Sequence, residues 1–280
     1  MTVTRTLLDS GLLFPESPRW HDGALWLSDM HRRAVLRVDG TGVPPRVVTE
    51  VPNEPSGLGW LPDGTLLIAS MLDRRLVAFS GGALVPHSDL SGLVTGVCND
   101  MVVDERGRAY VGGINAPNPR AAMPGNLIFV DEAGKASVAS DDLVGPNGIV
   151  LTPDGKTLIA AETGRGRLTA WDRNPDGSLD RRRVWADCGD SAPDGICLDA
   201  EGAVWLADVR GSQLVRVLEG GHVTDRIPVR HGRAFACMLG GRGGRTLLAC
   251  TGTRSYALRD GPGTGTIEYA VVTVPHAGRP

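Results

Sequence analysis

One phrase recurs six times along this chain, and that recurrence constrains the fold more than any other feature. Each copy has a polar opening, a short apolar run, a turn carrying Asp or Gly, and a second apolar run. It reads ESPRWHDGALWLSD from Glu16, PSGLGWLPDGTLLIAS from Pro55 and CNDMVVDERGRAYVGG from Cys98. It returns as PNGIVLTPDGKTLIAAE from Pro146, PDGICLDAEGAVWLAD from Pro193 and FACMLGGRGGRTLLAC from Phe235. The starts are separated by 39, 43, 48, 47 and 42 residues. A period in the forties, with two strands in the phrase and room for two more, is the length of a propeller blade. A β-sandwich has no need of six related units. The sequence therefore reads as all-β: a six-bladed β-propeller with four-stranded blades, one domain over residues 1–280, around a central channel.

The local chemistry agrees. Glycine numbers 38 and proline 19, and no long stretch carries a 3.6-residue apolar period. Asp-Gly turns suit hairpins because both residues tolerate positive φ. Third strands follow the phrase as AVLRVD, RLVAFS, NLIFVD, RLTAWD and QLVRVL, and the fourth is the least regular, as befits an outer edge. The segments TVTRTLLD near the N-terminus and TIEYAVVTV near the C-terminus are expected to complete blades from opposite chain ends and close the ring. The run GGRGGR (240–245) contains no phosphate-binding loop sequence and reads as a hairpin turn.

Charge and cysteine content narrow the partners. The 29 basic and 32 acidic residues nearly cancel, with no Lys/Arg run, so neither a nucleic-acid footprint nor a polybasic membrane patch is expected. No apolar stretch approaches the roughly 18 residues of a membrane span. The start MTVTRTLLDSGLLF is interrupted by Arg5 and Asp9 and does not read as a signal peptide. Five cysteines, odd in number and without a CxxC pair, read as buried reduced thiols in a cytoplasmic protein rather than a zinc site. The expected partner is a small-molecule substrate, with the chain acting as a monomer or weak homo-oligomer.

In a propeller the residues that open every inner strand ring one mouth of the channel. Glu16, Asn99, Asn147 and Asp194 sit at such openings in four blades and are expected to converge. Each alone could be a turn former, since Asn and Asp before Gly commonly are. Their shared position at inner-strand openings, away from the hairpin's own turn, is what raises the metal reading. Carboxylate and amide oxygens are hard ligands, suited to Ca²⁺ first and to Mg²⁺ or Mn²⁺ as alternatives. The loops after the second strands open on the same face and bring Met30, His31, Met71, Ile114, Asn115, Glu162, Asp208, Val209 and Thr251 toward the mouth, with His231 and Arg233 approaching from the sixth blade. Of these, Met30, His31, Met71, Asn115, Glu162 and Arg233, together with Asn99, are the candidate substrate-binding residues. For His31 and His231 a solvated loop histidine is the plainer reading.

The openings PESPRW, NDMVVDERGRAYVG, PNGIVLTPDGKTLIAAE, PDGICLDAEGAVWLAD and AFACMLGG together resemble the SMP-30/gluconolactonase/LRE family, the senescence-marker-type lactonases, over nearly the whole chain. The resemblance implies a divalent metal held by Glu16, Asn147 and Asp194, with Asn99 touching either metal or substrate. It also implies that Zn²⁺ can stand in for the other metals, and that lactone hydrolysis is the usual activity. One departure matters. Sugar-lactone hydrolases of that family carry Arg two residues before the Asn of the ND motif, and Val97 stands there in TGVCND. A less polar lactone or ester is the substrate this favours.

The chemistry expected is polarisation of a lactone carbonyl by the metal, with Asp194 as general base or nucleophile. A serine-hydrolase route has no GxSxG elbow to run on. Two other functions fit the same fold: a non-hydrolytic metal-dependent cyclase or isomerase of a biosynthetic pathway, and an interaction module with a structural metal.

Overall fold

The computed structural model describes residues 3–40, 43–115, 123–253, 256–257 and 263–278. Its strands form six four-stranded antiparallel sheets. The first five blades each take four consecutive strands, and their inner strands are Pro15–His21, Pro55–Trp60, Val97–Val103, Pro146–Leu151 and Pro193–Leu198. The sixth is assembled from both chain ends. Its inner strands Arg233–Gly240, Thr246–Gly252 and Gly265–Val271 are completed by Arg5–Leu12 as the outer strand. The two terminal segments thus finish one blade together and close the ring, while Thr2 of the N-terminal phrase lies outside the described residues. The GGRGGR run forms the turn between the first two strands of this blade.

The apolar residues of the repeated phrase account for the core. Among the described residues, each pair of neighbouring blades shares one buried layer. Leu67, Ala69 and Leu76 of the second blade meet Met101, Val111 and Ile128 of the third. Leu158 and Trp171 of the fourth pack on Tyr110 and Leu127 of the third, and four further layers complete the circle. Each fully buried Leu or Ile is worth about 1.5–3 kcal/mol relative to exposure, so these layers hold blade to blade.

Close approach near the axis explains two glycines. A Cβ on Gly148 would lie 2.4 Å from Ile196 N, and one on Gly195 the same distance from Ala236 Cβ, so neighbouring inner strands touch there backbone to backbone. At the opposite face the C-terminal segment straps the fifth and sixth blades through Ala200 N to Pro275 O (2.8 Å), Ala277 N to Leu198 O (3.1 Å) and His276 N to Gly244 O (2.9 Å). No helix among the described residues is long and apolar enough to cross a membrane.

Candidate metal centre and active site

All six inner strands break register just after they begin. In the third blade Cys98 pairs with Gly113 and Met101 with Val111, so Asn99 and Asp100 together face one residue of the neighbouring strand. The same two-against-one bulge holds Asn147 between Pro146 and Ile149, and Asp194 between Pro193 and Ile196. In the first blade it follows Glu16 directly, and in the sixth it leaves Phe235 unpaired between Ala234 and Ala236. A bulge re-aims a side chain that a regular strand would point into the inter-blade layer. Here it takes Asn99, Asn147 and Asp194 out of the regular alternation at the openings of their strands and lies directly beside Glu16 in the first blade.

Glu16, Asn99 and Asp194 are each buried, at 8%, 9% and 8% exposure, and Asn147 is half-buried. Each amide is held. Asn99 Nδ2 donates to Pro146 O (3.1 Å), while Ser56 Oγ donates to Asn99 Oδ1 (3.3 Å). Asn147 Nδ2 donates to Thr163 Oγ1 (3.3 Å), which donates onward to Pro193 O (2.7 Å). The carboxylates are less satisfied. Glu16 accepts from Ser17 N–H (2.9 Å), and Asp194 Oδ1 is buried without a hydrogen-bond partner.

The electrostatics follow from that crowding. Burial pushes the Glu16 carboxyl up to about 8; the Ser17 N–H opposes the rise, Asp100 adds to it and Arg19 opposes it. Burial likewise lifts Asp194 well above the usual carboxylate range, and the charges of Glu16 and Asp100 lift it further against a hydrogen bond from Asn147. Two buried carboxylates, the charge of Glu16 raising Asp194 and one Asp194 oxygen without a hydrogen-bond partner, fit a hard divalent cation. Among the described residues no group of three or more His, Cys, Asp or Glu side chains is arranged to hold a metal. The set here is two carboxylates and two amides.

The other sequence-derived candidates fall into three groups. Met30 and Met71 form a buried cluster with Phe14 and Phe235, and the His31 ring lies 5.1 Å from that of Phe14. Asn115 is half-buried and ties down Thr95, whose N–H donates to Asn115 Oδ1 (2.9 Å), and Arg233 is exposed at the start of its strand. Glu162 is fully buried, and its carboxylate is taken by Arg165 (2.8 Å), Arg167 (2.8 Å), Thr169 (2.5 Å) and Val144 N–H (3.0 Å).

Glu162 belongs to a recurring arrangement. Asp29 accepts from Phe14 N–H (2.9 Å) and Leu13 N–H (3.0 Å), and Asp208 accepts from Ala192 N–H (3.0 Å). An acid at the end of a second strand thus anchors the backbone two or three residues ahead of Glu16, Asn147 and Asp194. These acids hold the backbone that leads into the candidate site residues. In the sixth blade Glu268 takes the corresponding part, accepting from Arg230 N–H (2.9 Å) and His231 N–H (2.8 Å). Sequence reasoning missed Phe14 and Tyr256 at the mouth. Tyr256 crosses from the sixth blade to the second, where its hydroxyl donates to Glu54 (2.8 Å).

The signature of the SMP-30/Gluconolactonase/LRE-like region matches residues 14–253. The chain belongs to this family. Within it, the chain is 28% identical to a 6-deoxy-6-sulfogluconolactonase of Pseudomonas putida over 65% of its own length and 64% of the relative's. The aligned region thus spans a little less than two thirds of that relative. It is 25% identical to a pentonolactonase of Haloferax volcanii over 86% of its length and 82% of the relative's. Among solved structures, the calcium-binding protein regucalcin of Agrobacterium tumefaciens superposes with a TM-score of 0.85 at 23% identity, covering 100% of this chain and 97% of that one. At that identity the likeness shows the fold alone.

Proposed function

We propose that this family member is a divalent-metal-dependent hydrolase of a lactone or related ester. The observation that carries the reading is the pair Glu16 and Asp194, buried together at the channel mouth with Asp194 Oδ1 unpartnered. Lactonase names among the relatives support it. Glu16, Asn99, Asn147 and Asp194 would hold the cation, Ca²⁺ first among Mg²⁺, Mn²⁺ and Zn²⁺. When bound, it supplies Lewis-acid polarisation of a carbonyl.

The chain's own residues account for the rest. The Asp194 carboxylate oxygen that does not hold the cation takes a proton from the attacking water as the bond from that water's oxygen to the carbonyl carbon forms. The lactone C–O bond then breaks, and that proton passes from Asp194 to the leaving alkoxide oxygen. Direct attack by the same carboxylate is the other route open to it. Asn99 and Asn147 move no proton; their anchored amides fix the carbonyl's orientation. The substrate is taken to be a small molecule met by a monomer or weak homo-oligomer. All five cysteines are free, which suits a reducing compartment, and the cytoplasm is the proposed location.

Asp194→Ala tests the assignment: lactone turnover should vanish while the melting profile stays cooperative. Retention of full turnover would sink the reading.

A further inference from the structure

The bulge position at the opening of the inner strand is polar in five blades (Ser17, Ser56, Asn99, Asn147 and Asp194) and aromatic in the sixth. Phe235 holds in the sixth blade the bulge position that Asn99, Asn147 and Asp194 hold in theirs. It adjoins the site directly, since a Cβ on Gly195, the residue after Asp194, would lie 3.3 Å from Phe235 O. Phe14, two residues ahead of Glu16, has its ring centroid 4.7 Å from that of Phe235. Met30 and Met71 join them, with Val97 and Tyr256 packed at the margin. Phe14, Met30, Met71 and Phe235 are themselves buried, while Val97, Val209 and Tyr256 packed against them are half-buried. The edge of the cluster is therefore a wall reachable beside the strand openings.

Such a wall discriminates by chemistry. Hydroxyl groups pressed against it lose water without gaining partners. Methylene groups gain about 0.8 kcal/mol each on leaving water, about fourfold in binding. Resting on the hydrolase reading above, we propose that the substrate carries an alkyl or aryl substituent that lies against Phe14, Met30, Met71 and Phe235 while its carbonyl faces Asp194. Phe235 is the specificity-determining residue of this arrangement.

The test uses γ-lactones with straight side chains of increasing length, gluconolactone, and the matching γ-alkyl lactams, which keep the shape and resist hydrolysis. For the metal-loaded protein, kcat/KM should rise by up to about fourfold per methylene over the first carbons, and lactam Kd from calorimetry should fall in step. Phe235→Ala should flatten both series. Met71→Ala removes a flexible side chain from the same wall and should lower the slope if Phe235→Ala fails to fold. A flat series in the unmodified protein, an undiminished slope in the folded variants, or a preference for gluconolactone overturns the proposal. Lactam binding that tightens with chain length, without turnover of any lactone, would leave the wall standing and remove the hydrolase reading instead.

Discussion

Arg19 of the first blade reaches Asp100 of the third, Nη2 to Oδ1 at 2.5 Å, with both side chains buried. These blades are not neighbours, so the pair reaches past the inner strand of the second blade. The guanidinium also donates to Pro18 O (2.9 Å), Leu58 O (3.1 Å) and Met101 O (2.7 Å). It bolts three inner strands together three residues along the strand from Glu16. Asp100 thereby stays charged-partnered while its field still raises both Glu16 and Asp194.

Removing one partner from a buried ion pair strands the other. Asp100→Ala is expected to destabilise the fold by about 3–5 kcal/mol in denaturant titration, because the Arg19 charge keeps its burial and loses its counter-ion. Asp100→Asn keeps an acceptor and should cost less. A change within the ~0.5 kcal/mol usual for surface substitutions would contradict the bolt.

Glu162→Gln tests the backbone anchors through pH. Burial alone would raise the Glu162 carboxyl, but hydrogen bonds from Thr169, Arg167 and the Val144 N–H outweigh it and hold the group below its ordinary value of 4.5. The unfolded chain therefore takes up this proton at higher pH than the folded one. The carboxylate's contribution is fully present above 4.5 and is lost as the pH falls through the lower folded value. The unmodified protein should lose melting temperature across that acid range. The variant should melt lower at neutral pH and show a shallower acid slope, and parallel curves would speak against the anchor.

Much of this architecture was legible in the sequence because propeller blades repeat their alternation of apolar runs and turns. The inner strands opening at Glu16, Pro55, Pro146 and Pro193 were readable from the phrase, and so was closure from the chain ends. The common place of Glu16, Asn99, Asn147 and Asp194 at inner-strand openings was likewise readable from the repeat. What was not legible is the bulge that aims them, since a two-against-one pairing such as Asn99–Asp100 against the neighbouring strand leaves no compositional mark. Glu162 read as a mouth residue from its strand-end position. The signal that its carboxylate is engaged was Arg165 in the connecting turn, followed by Arg167 and Thr169 on the returning strand. Tyr256 escaped because its contact with Glu54 joins residues far apart in the chain, which periodicity cannot register.

Gly195→Ala probes the contact that seats Asp194. The new Cβ would fall 2.4 Å from Ala236 Cβ and 2.6 Å from its Cα, so the fifth and sixth inner strands must separate. We expect a loss of about 1–3 kcal/mol, as for other overpacked sites, together with weaker cation affinity. Gly202→Ala is the control. Its site has φ of 79° and nothing within 4 Å, so it should cost only the roughly 1 kcal/mol of a left-handed residue and leave cation affinity unchanged. Equal effects of the two on cation binding would contradict the placement of Asp194.

The most direct test of the account is turnover of a small panel of γ-butyrolactone, longer-chain lactones, gluconolactone and an aryl ester, measured after EDTA treatment and after return of Ca²⁺, Mg²⁺, Mn²⁺ or Zn²⁺. The account predicts that chelation abolishes turnover, that at least one of these cations restores it, and that Asp194→Ala cannot be restored by any. Turnover that survives chelation, or that Asp194→Ala retains, would contradict it.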